Sequence, residues 1–99
     1  MKIVICGAGL VGTSIASHLA EEQNDVTVID ASAEKIQRLT EQVDVHGVVG
    51  VASYPDILSG AGARDAELLI AVTESDEVNM VACQVAHTIF NTPVKIARI

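Results

Sequence analysis

Three glycines, Gly7, Gly9 and Gly12, link the apolar, β-branched run Lys2 to Cys6 (KIVIC) to a segment in which Val11, Ile15, Ala16 and Leu19 recur at the spacing of one helical face. A strand that passes into a helix through so short a link must turn sharply, and glycine is the residue that allows it. The run before the turn carries no polar alternation, so it reads as a strand buried on both faces, which demands a sheet covered by helices on each side. This one junction already favours a parallel α/β architecture over a sandwich or a bundle.

The rest of the chain repeats the pattern. "NDVTVID", Asn24 to Asp30, reads as a second strand; Ser32 is placed to cap a helix running to about Gln42, and Val45 to Val51 reads as a third strand. Ser53 is expected to cap a short helix with Pro55 early and Asp56 in its first turn, stopped by Gly60 and Gly62. "ELLIAV", Glu67 to Val72, is a fourth strand; Ser75, Asp76 and Glu77 open a long helix to Phe90, and "NTP" introduces a last run, Val94 to Ile99. Strand and helix alternate four times before a fifth strand. The expected fold is a doubly wound, Rossmann-like parallel sheet of order 3-2-1-4-5, stopping short of a sixth strand, hence a single domain that reads as a fragment of a longer chain. In such a sheet ligands settle at the carboxyl ends of the strands where the order reverses, between strands one and four.

Composition narrows the function classes. The net charge is −7 with only 6 basic residues, none in a run, which argues against nucleic-acid backbones and anionic membrane surfaces. No segment approaches the ~20 apolar residues of a membrane span. Cys6 and Cys83 are embedded in apolar neighbours and read as buried, reduced thiols of a cytoplasmic protein. His18, His46 and His87 lack ligand spacing, so no metal site is expected, and His87 reads as a partnered or interfacial histidine in the last helix. There is no Ser-His-Asp arrangement and no Walker lysine, so no enzyme is expected.

The glycine turn carries the chemistry. A pyrophosphate needs backbone N–H donors at a helix start and no side chain in its way. Gly7 would permit the turn, Gly9 the approach of phosphates, and Gly12 close packing of helix on strand. Asp30 follows Gly12 by 18 residues at the end of the second strand, where a carboxylate meets adenosine ribose hydroxyls and repels a 2′-phosphate. That favours NAD or NADH, with ATP or ADP compatible. The plain alternative keeps the glycines for turning and packing and makes Asp30 a cap. On the facing wall the Thr73 hydroxyl and nearby helix-start amides are available, although Ser75, Asp76 and Glu77 would be sensible capping for any ligand. Arg98 could reach a phosphate or ribose, or form a surface ion pair.

Four stretches together resemble the RCK or KTN domains that regulate potassium transport: "MKIVICGAGLVG", "VTVID", "GVASYPDILSGAGARDAELLIAVTESDEVNMVACQVA" and "NTPVKIARI", which cover nearly the whole chain. The resemblance implies that Gly7, Ala8, Gly9, Leu10, Val11 and Gly12 hold a pyrophosphate and that Asp30 holds the ribose. It further implies that the Val51 and Ala52 backbone flanks adenine, and that Thr73, Glu74 and Arg98 line the nicotinamide side. The implied setting is a cytoplasmic regulatory subunit, peripheral to the inner face of the membrane, bound to a potassium channel or transporter subunit and assembled as dimers within a ring. "GVAS", Gly50 to Ser53, departs from the acidic "GDAT"-like turn of many members and loses a polar contact there. Val78, Val81, Ala82, Val85 and Ile89, widened by Cys83, Ala86 and Phe90, form a stripe broader than one sheet face requires, which fits assembly. The rival reading is the NAD-binding half of a dehydrogenase without its catalytic domain.

Overall fold

The computed structural model describes residues 1–98; Ile99, the end of the last expected strand, lies outside the described residues. Five strands, β1 (Lys2–Cys6), β2 (Asp25–Asp30), β3 (His46–Val49), β4 (Leu68–Ala71) and β5 (Val94–Ala97), form one parallel sheet in the order β3-β2-β1-β4-β5. β1 is central, with Cys6 opposite Ile29 on one side and opposite Ala71 on the other. Four helices, α1 (Leu10–Glu21), α2 (Ala33–Gln42), α3 (Pro55–Gly60) and α4 (Asp76–Thr88), connect the strands.

The all-apolar β1 is explained by the two cores it feeds. Ile3 and Ile5 pack with Val26, Val28 and Ala16 under α1 and α2, while Val4 and Cys6 pack with Leu58, Leu69 and Ala82 under α3 and α4. Each buried aliphatic side chain of this size contributes about 1.5–3 kcal/mol, so an alternating polar pattern could not have held the centre of the sheet. Burial also pushes the Cys6 thiol up to about 12. Cys83 is only half-buried; its thiol is raised by desolvation, with Lys95 acting in the opposite direction.

Several local expectations need correction. β3 is shorter than expected, with Val45, Gly50 and Val51 outside it, although the Gly50 amide still extends the β2–β3 ladder by donating to Asp30 O at 3.0 Å. Ser53 does not cap α3: the cap position is Tyr54, which makes no side-chain capping bond, and Pro55 opens the helix without needing one. α3 does stop at Gly60 as expected, and Gly62, at φ 86°, then starts a separate 3-10 turn over Ala63–Asp65. The inward face of α4 is Asn79, Ala82 and Ala86, followed by Phe90; of the wide stripe expected on this helix, Val78, Cys83 and Val85 are half-buried, and Val81 and Ile89 are exposed. His87 is exposed, with Nδ1 3.4 Å from Lys95 Nζ. Among the described residues no helix is long and apolar enough to cross a membrane.

Candidate nucleotide-binding site

The three glycines do different jobs. Gly7 sits at φ +116°, and a Cβ there would lie 2.9 Å from Val72 O, so both the backbone angle and the nearness of the β4 end select glycine. At Gly12 a Cβ would overlap the Gly7 carbonyl oxygen, so the close packing that glycine permits here is of the helix on the turn that follows β1. At Gly9 a Cβ would meet nothing within 4 Å. Open space at this glycine is what a ligand approaching the backbone would occupy.

Gly9 is also the cap of α1, in an extended conformation with no side-chain capping bond, and the first turn holds no acidic residue. The amides of that turn therefore face the cleft with the positive end of the helix unneutralised. Across the turn, Asp30 is engaged by backbone: Ala8 N–H donates to Oδ2 and Ser32 N–H to Oδ1, each at 2.8 Å. One carboxylate thus clamps the glycine turn to the β2–α2 turn. Each oxygen keeps a second lone pair, so ribose hydroxyls could still donate to it.

The facing wall is the β4–α4 turn. Thr73 Oγ1 accepts from Ser75 N–H at 3.1 Å, and its one proton can go to Asn79 Oδ1 at 2.7 Å or Ser75 O at 3.1 Å. Its hydroxyl is thereby committed to shaping the turn. Among the described residues Arg98 reaches no carboxylate; its Nη2 donates to Thr73 O at 3.0 Å and its backbone N–H to Ala71 O at 2.9 Å.

Between these walls lies a cleft of about 580 Å³ at the switch point of the sheet. Gly7, Gly9, Leu10, Val11 and Asp30 line one side, and Thr73, Glu74 and Arg98 the other. Val51 and Ala52 close it from the β3 end. Ala8 and Gly12 do not line it: the Ala8 amide is held by Asp30, and Gly12 is buried beneath the turn. Sequence reasoning missed Lys35, which lines this cleft and a shallower neighbouring one. Its position in the first turns of α2, just after Asp30, was the available signal. It also missed Asn79, because nothing in a one-dimensional pattern distinguishes a buried asparagine from a surface one.

A doubly wound parallel sheet, a glycine turn opening an uncapped helix, and an acidic residue ending the second strand define a nucleotide-binding type of α/β domain. Comparison with known proteins makes this specific: the chain belongs to the TrkA-N domain family, which it matches over residues 3–99. The Trk system potassium uptake protein TrkA of Azorhizobium caulinodans is 63% identical over the whole chain, which spans 22% of that protein's length. Among solved structures, the Kef C-terminal domain of Shewanella denitrificans in its AMP-bound form superposes with a TM-score of 0.84 at 25% identity, covering 99% of this chain and 58% of that one. The GsuK channel bound to NAD shares the fold, with a TM-score of 0.83 at 21% identity over 99% of this chain and 18% of the channel.

Proposed function

We propose that this chain is the nucleotide-binding regulatory domain of a potassium-uptake system. Its ligand is NAD or NADH, and ATP or ADP share the adenosine half of the site. The observation that carries the reading is the bare start of α1, with open space at Gly9, set opposite the Asp30 carboxylate. An anion belongs at the first and hydroxyls at the second, which is the polarity of an adenosine phosphate. Structures of similar fold that hold AMP and NAD support the same ligand class.

The domain acts as a sensor and performs no chemistry on the nucleotide. The titratable side chains lining the cleft are Asp30, Lys35, Glu74 and Arg98. Asp30 and Arg98 already serve backbone groups, which suits gripping better than proton transfer. The ligand bridges the glycine turn and the Thr73 turn, and its identity shifts the geometry of paired domains within a dimer or larger ring. That ring acts from the cytoplasmic face on the membrane subunit that carries potassium. Such a shift requires different affinities for two assembly states; tight binding alone moves nothing.

Calorimetry of the intact protein with NADH, NAD, ATP and NADPH tests the reading. Binding of the first three with rejection of NADPH is expected, and no binding of any overturns it. The dehydrogenase reading would gain from a general acid or base presented over the nicotinamide by another part of the protein, and from turnover of the cofactor.

A further inference from the structure

One side chain in the core is polar on all its working atoms and belongs to neither the sheet nor the helix cap. Asn79 is fully buried in the first turns of α4. Its Oδ1 accepts from Thr73 N–H at 2.9 Å and lies 2.7 Å from Thr73 Oγ1. Its Nδ2 donates to Thr73 O at 3.1 Å and to Arg98 O at 3.3 Å. Burying an amide is costly unless every partner is supplied, and here they all are.

Two nearby structural tasks are met without this residue. Ser75 already caps α4, accepting from Val78 N–H at 3.2 Å. The ladder between β4 and β5 is complete from Leu68 to Ala71 without it. What Asn79 alone joins is the backbone of Thr73 to the backbone of Arg98, the two residues that make the cleft wall away from Asp30. The Thr73 carbonyl it steadies is also the anchor of the Arg98 guanidinium.

Resting on the nucleotide reading above, we infer that Asn79 is a positioning residue for the far half of the cleft, setting affinity for ligands long enough to span it. A dinucleotide reaches from the Asp30 side to the Thr73 and Arg98 wall. A mononucleotide such as AMP is satisfied by the glycine turn and Asp30. Loosening the far wall therefore weakens NAD and spares AMP, a split that general loss of stability does not produce.

The test uses the intact protein, with NAD and AMP as the two probes. By calorimetry, Asn79→Ala and Asn79→Asp raise the Kd for NAD about tenfold while AMP stays within about twofold. The aspartate variant keeps the acceptor for Thr73 and removes the donor to the two carbonyls. Equal losses for both ligands, or an unchanged NAD affinity in a folded variant, overturn the inference. Hydrogen exchange of the wild-type protein tests the premise of the inference, that only the longer ligand reaches the far wall, even where the variants do not fold. NAD should slow exchange in both segments 10–12 and 72–80, and AMP only in the first; the same response of 72–80 to both ligands, or to neither, contradicts it. Wild-type protein that binds neither probe, and none of NADH, ATP and NADPH, overturns the nucleotide reading itself.

Discussion

The starts of α1 and α4 lie on opposite walls of one cleft and are built in opposite ways. At α4 the chain satisfies its own helix end: Ser75 accepts from Val78 N–H, and Asp76 and Glu77 sit against the positive pole. α2 follows the same practice, with Ser32 accepting from Lys35 N–H and Glu34 in the first turn. At α1 the cap is Gly9, with no side-chain bond, and the first turn holds no acid. The chain caps its other long helices with serine and acid and leaves this one bare, the end at which the proposed function sets a ligand's phosphates. The contrast explains why a domain with net charge −7 can take an anion, since local amides and a helix pole decide the matter.

Substitutions on the two walls should separate accordingly. The largest effect is expected at Gly12→Ala, whose Cβ collides with the Gly7 carbonyl. A backbone shift is unavoidable, so thermal or denaturant unfolding should show a loss of about 3 kcal/mol, with nucleotide binding abolished. Asp30→Asn comes next. Asparagine has one acceptor oxygen for the Ala8 and Ser32 amides, so about 1–3 kcal/mol of stability should go, together with most NADH affinity. Binding retained at wild-type strength would make Asp30 a clamp only. The smallest effect is expected at Ser75→Ala, where the missing cap should cost about 1 kcal/mol by denaturant titration. NADH affinity should barely change, because α4 is capped for the protein's own sake.

Much of this was legible in the sequence, for reasons that differ by element. The β3-β2-β1-β4-β5 order follows from strict alternation of strands and helices, and the all-apolar "KIVIC" required the central, doubly covered place that β1 has. The turning and packing roles of Gly7 and Gly12 were legible because they depend on backbone approach alone, whereas the clamp that Asp30 makes on the Ala8 and Ser32 amides matches the plain reading of Asp30 as a cap. The phase of α4 was less so. Hydropathy marked Val81 and Ile89 as part of a stripe wider than one sheet face needs, and both are exposed; it gave no sign of Asn79, which four hydrogen bonds hold in the core. The Ser53 cap failed because Pro55 takes the first helical position, which puts the cap one residue later, at Tyr54. Arg98 was read as a ligand or surface group; its bond to Thr73 O depends on a turn folded from distant residues.

The most direct test of the central claim, that the start of α1 is kept bare for a ligand's phosphates, is Gly9→Asp measured for stability and for NADH binding in parallel. Gly9 has φ −78° and ψ −164°, a cap conformation open to any residue, and space for a side chain. An aspartate there would cap the helix as serine caps α4. The account predicts that stability holds or rises by up to about 1 kcal/mol while NADH affinity falls by about 100-fold or more, the carboxylate standing where phosphate belongs. Undiminished affinity in a folded Gly9→Asp protein would contradict it.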